Sequence, residues 1–173
     1  RSYMGIFERW AGTLGVVAAL ALVGTFALVM LTGEDLEVRD KRGRTPLIVA
    51  AEAGDAERVR GLLGRGARTE AEDDCQWTAL MRAASHGHTE VVRILIDQDA
   101  AVNNRGKIGF TALMAATMNG HHDMAELLIA HGADLSPTET ETGKNALELA
   151  IMSGDQRMIE LLIKAREGAR TGR

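Results

Sequence analysis

Five histidines and one cysteine are the residues of this 173-residue chain with the widest chemistry open to them. His86 and His88 stand two apart, His121 and His122 are adjacent, His131 stands alone, and Cys75 lies upstream of them all. A zinc site draws on pairs of Cys or His at short, repeated intervals, and this set has no such spacing. Histidines satisfied by structural hydrogen bonds are the expected reading. Other chemistries lack their residues too. There is no Gly-rich phosphate loop, no pair of catalytic acids and no nucleophile motif. Glu139-Thr140-Glu141-Thr142 reads as a solvated turn. The expectation is a chain with no catalytic residue, no metal and no cofactor.

The elements that would position any site are set by a repeat. In Trp77 to Asn103, the small and apolar residues Ala79, Leu80, Ala83 and Ala84 recur at helical spacing. Gly87 breaks that helix, and Val91, Val92, Ile94, Leu95 and Ile96 make the buried side of a second one. Two helices this short leave one broad apolar face uncovered, so the unit needs a copy of itself on either side. The copies are present. Thr78 has counterparts at Thr45, Thr111 and Asn145, at offsets of 33, 33 and 34 residues, and Gly87 recurs as Gly54, Gly120 and Gly154. The second-helix runs end in Leu62-Leu63, Leu95-Ile96, Leu128-Ile129 and Leu162-Ile163.

Thr45-Pro46-Leu47, Gly87-His88, Gly120-His121, Gly66-Ala67 and Gly132-Ala133-Asp134 give this chain a pattern that resembles the ankyrin repeat family over about residues 35–164. The resemblance implies an all-α solenoid of four helix-turn-helix repeats with short hairpin turns, at about 40–72, 73–105, 106–139 and 140–164. It places His88 and His121 at the break between the two helices of a repeat. The family's His after Thr-Pro-Leu is Ile48, Met81, Met114 and Glu148 here, which removes a polar tether between repeats. Asn145 in place of Thr, with one extra residue before it, marks a divergent terminal repeat. Gly61 and Gly64 make the first repeat either the softest or the one a neighbour approaches most closely.

The resemblance also implies that the hairpin tips and the exposed side of the first helices form a concave partner face. Carried over residue by residue, Trp77 and Phe110 fall one repeat apart and should be neighbours on it. With Ile108 and Met118 they make an apolar patch, with His86 nearby and Arg42, Arg44, Lys107 and Lys144 flanking it. Aromatics at the centre with cations at the rim is the composition of a protein-binding hot spot. The alternative is that the two rings tuck inward against the next hairpin.

Upstream of the repeats, Ala11 to Leu31 carries no charge in 21 residues. As a helix it would span roughly 31 Å, close to the hydrocarbon core of a bilayer. Tyr3, Phe7, Arg9 and Trp10, in the segment 1–10, stand where an interfacial anchor would be. The expectation is a single transmembrane helix at 11–31. Ala11, Gly15 and Ala19 on one narrow face suit close packing against another membrane helix. A linker at 32–39 holds the solenoid near the lipid surface, and a basic tail, expected to fray, follows at 165–173. Arg39, Lys41, Arg42 and Arg44 place the repeats on the positive side of the membrane by count.

A net charge of −4 is too mild to argue for nucleic acid, none of which is expected as a partner, and an open concave surface argues against a small-molecule substrate. The expected partners are other protein subunits, one of them contributing a transmembrane helix, together with membrane lipid. This suits an accessory subunit of a larger membrane complex in an organellar (mitochondrial or plastid) or bacterial inner membrane. The alternative is a bacterial inner-membrane ankyrin protein supporting a soluble enzyme nearby.

Overall fold

The computed structural model describes residues 35–171. The segment 1–10, the apolar run 11–31 and its small residues Ala11, Gly15 and Ala19 lie outside the described residues, as do the last two residues of the tail. Among the described residues no helix is long and apolar enough to cross a membrane.

The described chain is an all-helical solenoid of four helix pairs. The first helices of the repeats are α1 (Pro46–Ala53), α3 (Ala79–Ser85), α5 (Ala112–Met118) and α7 (Ala146–Ser153). The second helices are α2 (Ala56–Gly64), α4 (Thr89–Asp97), α6 (His122–Ala130) and α8 (Gln156–Thr171). First helices stack on first helices and second on second, so the array has two layers.

The recurrent Thr is a helix cap. Thr45, Thr78 and Thr111 accept at Oγ1 from the amides of Ile48, Met81 and Met114 at 3.3–3.4 Å. Asn145 does the same for Glu148 at 3.0 Å, and the Glu148 carboxylate accepts from the Asn145 amide at 2.8 Å. The divergent last repeat therefore carries a complete capping box. That bond occupies the side chain standing where the other repeats have buried Ile48, Met81 and Met114.

Each first helix is Ala-rich because helices of adjacent repeats approach closely there. Ala51 and Ala84 are 0% exposed and Thr117 1%, each between its own repeat and the next. The second helices contribute Val59, Val92 and Ala125, all 0% exposed. In repeat four these positions are Ile151, which is exposed, and Ile159, which is partly buried, with no fifth helix pair among the described residues. α8 runs 16 residues against nine for the other second helices, so the expected frayed tail is helical through Thr171.

Three sets of bonds join the repeats. Backbone amides of Asp74, Lys107 and Thr140 donate to the carbonyls of Arg42, Cys75 and Ile108 at 2.9–3.2 Å, lacing the hairpin tips into one ladder. Arg39 donates to the Glu72 carbonyl, and Arg105 to the Thr138 carbonyl at 2.7 Å. His88 and His121 donate at Nε2 to the carbonyls of Glu52 (3.0 Å) and Ser85 (3.1 Å), one repeat back. The polar tether missing after Thr-Pro-Leu is thus supplied from the Gly-His step. Gly54 and Gly87 are required beneath these rings, since a Cβ would meet the imidazoles at 2.6 and 2.9 Å, and both have positive φ.

Within the hairpins, acidic side chains organise the turns. Asp40 accepts from the amides of Arg42 and Arg44, and Asp73 from those of Cys75 and Trp77. Glu139 accepts from the amides of Glu141, Thr142 and Lys144, and from the Thr142 hydroxyl. Glu139 is 4% exposed, so the turn expected to be solvated is closed around a buried carboxylate. The Thr142 hydroxyl and the turn amides hold its pKa down at about 2, and the Arg44 guanidinium and amide do the same for Asp40. A depressed carboxylate contributes stability that is present above its unfolded value and lost as pH falls through the folded one. Thermal midpoints should therefore fall steeply between about pH 4.5 and pH 2, and Glu139→Gln should flatten that slope in a pH series of melts.

Gly61 and Gly64 settle between the two readings of the first repeat. Among the described residues a Cβ at either would meet nothing within 4 Å, so no described neighbour needs the space. Gly61→Ala and Gly64→Ala should each stabilise the chain by about 1 kcal/mol, measured by urea unfolding.

Candidate interaction face

Trp77 and Phe110 stand side by side, ring centroids 6.2 Å apart and 16° from parallel. Each closes a hairpin: the Trp77 carbonyl accepts from Asp73 N at 3.0 Å, and the Phe110 carbonyl from Gly106 N at 2.8 Å. The residue after each is the capping Thr of the next helix. The rings are therefore fixed by the same turns that start α3 and α5.

Neither ring is fully exposed. Both are partly buried and packed against the core. The Arg82 guanidinium sits over the Trp77 ring, 4.7 Å from its centroid, and is anchored in turn by Asp73, whose Oδ2 accepts from Arg82 Nε at 2.8 Å. The Asp73 side chain is wholly buried, so one carboxylate ties the hairpin backbone, the helix and the aromatic pair together. The ring also lies against Gly106. A Cβ there would meet Trp77 Cδ1 and Nε1 at 2.8 Å. Gly106 occupies the position that Asp40, Asp73 and Glu139 hold in the other repeats, and Trp77 fills the space next to it.

Around the stack, Ile108 is 36% and Met118 56% exposed, and Met152 stands one repeat beyond Met118 at 66%. Val49 adds a partly exposed aliphatic group in repeat one. The cations differ among themselves. Arg44 is paired with Asp40 at 2.6 Å and with Glu52, and these carboxylates raise its pKa. It is part of the floor rather than a rim charge. Arg42 is exposed, its nearest carboxylate Glu52 at 3.9 Å. Lys107 is exposed and Lys144 half-buried. His86 is exposed, donates at Nδ1 to the Arg82 carbonyl at 3.0 Å, and stacks on His88 with centroids 5.9 Å apart.

Sequence reasoning missed Asp73 and Arg82, the residues that hold Trp77. Acids at 40, 73 and 139 recur with the repeat, and that signal could have found the first of them. The histidines are all engaged: His131 donates to the Leu127 carbonyl at 2.8 Å, and His122 meets Asp155. Among the described residues no three His, Cys, Asp or Glu side chains gather as metal ligands, and no buried side-chain nitrogen or oxygen lacks a partner.

A family model described as Ankyrin repeats (3 copies) matches residues 17–106 and 99–172. The first match reaches back into the uncharged run. No curated protein matches the chain.

Gly106→Ala should push the Trp77 ring off its seat. In a Trp10→Phe background, where Trp77 is the remaining tryptophan, emission should shift to the red, with a loss of about 1–2 kcal/mol in stability.

Proposed function

Because the chain belongs to the ankyrin repeat family, with both matches together spanning most of its length, we propose that it is a protein-docking module whose partner seats on the Trp77–Phe110 stack. The observation that carries this is an aromatic pair held by its own hairpins, on a chain that also exposes Ile108, Met118 and Met152. Large side chains already ordered before binding lose little conformational entropy on contact, and such groups concentrate binding energy. Arg42 and Lys107 remain at the edge to orient an approaching partner, while Arg44 and Arg82 are neutralised from within.

The membrane reading rests on Ala11 to Leu31, long enough and free enough of charge to span a bilayer, with aromatics and Arg9 before it. Ala11, Gly15 and Ala19 on one face support a second membrane helix as a partner. In this reading the protein is a single-pass accessory subunit of a membrane complex, in an organellar or bacterial inner membrane, with the repeats close to the lipid surface. The short chain between residue 31 and the first repeat supports that closeness.

The test begins with the intact chain solubilised in mild detergent. Native sizing followed by mass spectrometry should find it co-migrating with defined protein subunits. Alkaline carbonate washing should leave it in the membrane fraction. Against a partner so identified, Trp77→Ala and Phe110→Ala should each weaken binding by roughly 2 kcal/mol or more, about thirtyfold in Kd. If both variants keep full affinity and lose only thermal stability, the stack is repeat–repeat packing and the docking site lies elsewhere.

A further inference from the structure

The three joints of the array are not built alike. At the first two, His88 and His121 donate from Nε2 to a backbone carbonyl of the preceding repeat. Such a bond needs only an N–H on that nitrogen, so it can persist whether the ring is neutral or charged. At the third joint the corresponding residue is Asp155, which has no proton to donate. The side-chain bond there is turned round. His122, on the first turn of α6, reaches forward with Nε2 to both carboxylate oxygens of Asp155, at 2.9 and 2.8 Å. Asp155 also accepts from the Met158 amide at 3.1 Å, so the same carboxylate caps α8.

We propose that the joint between repeats three and four is a proton-operated clasp, tight when His122 carries its charge and looser when it does not. The geometry requires the asymmetry. A protonated imidazole puts a full positive charge against two carboxylate oxygens, whereas the neutral ring offers one ordinary N–H. Protonation at this joint completes a full ion pair with the carboxylate, whereas at the first two joints it adds only an ion–dipole contact with a carbonyl. The pair is only partly shielded, with about a fifth of each side chain exposed, so protons reach it without unfolding the repeat. The His122 contact is the largest cause of the depressed Asp155 pKa, which keeps the carboxylate charged.

His121 is engaged with the Ser85 carbonyl, and Asp123 of α6 and Arg157 of α8 face one another at 3.5 Å. α4 contributes the neutral Thr89 to this side of the joint. A substitution from His to Asp at one joint thus turns a tether that ends on a carbonyl into one that ends on a carboxylate. Repeat four carries Met152 and Lys144, so the clasp sets how firmly the last quarter of the concave surface is held.

The test is hydrogen exchange by mass spectrometry on the intact chain at pH 5.5 and 7.5, with intrinsic rates corrected for pH. Peptides from α7 and α8 should open roughly fivefold or more often at pH 7.5, while those from α1 to α4 change much less. His122→Gln retains a donor without a titratable charge, and Asp155→Asn retains the cap without the anion. Both should remove the pH dependence of α7 and α8, and His121→Gln should leave it in place. The proposal is overturned if the wild-type chain shows no change confined to repeat four, or if the change survives in both His122→Gln and Asp155→Asn. Neither outcome bears on the docking reading.

Discussion

A pair of helices seven to nine residues long, as in the first three repeats, cannot hide its own apolar surface, and everything in this protein follows from how that surface is covered. Each repeat lends its open face to the next. Ala51, Ala84 and Thr117 are small so that first helices can lie close, and Val59, Val92 and Ala125 close the second layer. Stability is therefore a property of joints rather than of a single centre. Losing one joint leaves two exposed faces, which is why polar groups reinforce every one of them.

The reinforcement is mostly main chain on at least one side. Tip amides donate to tip carbonyls, guanidinium groups of Arg39 and Arg105 reach carbonyls one repeat on, and imidazoles of His88 and His121 reach carbonyls one repeat back. Carboxylates of Asp40, Asp73 and Glu139 then fix three of the four turns, the last two from buried positions. Asp73 joins this framework to the surface, because the group that closes the second hairpin also anchors Arg82 beneath Trp77.

Much of the fold was legible in the residues. The 33-residue spacing of Thr45, Thr78 and Thr111 marks three helix starts because a threonine hydroxyl caps well, and Gly54 and Gly87 mark breaks because a side chain there would strike the next imidazole. What was not legible depends on which rotamers meet. Nothing in the order of residues shows Arg44 turned onto Asp40 and Glu52, or Arg82 lying on an indole. Glu139 read as solvated because a charged residue in a turn usually is, and it is buried here because three amides and a hydroxyl point at it. Glu148 looked like a lost tether and is half of a capping box. The helical course of the last residues to Thr171 was also hidden, since a polar, Arg-bearing stretch carries no apolar stripe to announce it.

The tip ladder has an evolutionary corollary. Its rungs run from peptide nitrogen to peptide oxygen, so they are indifferent to the identity of Lys41, Asp74, Cys75, Lys107 or Ile108. Those five positions can be rewritten with little loss of framework, and a gene encoding this array can drift from one ligand to another by changing its fingertips alone.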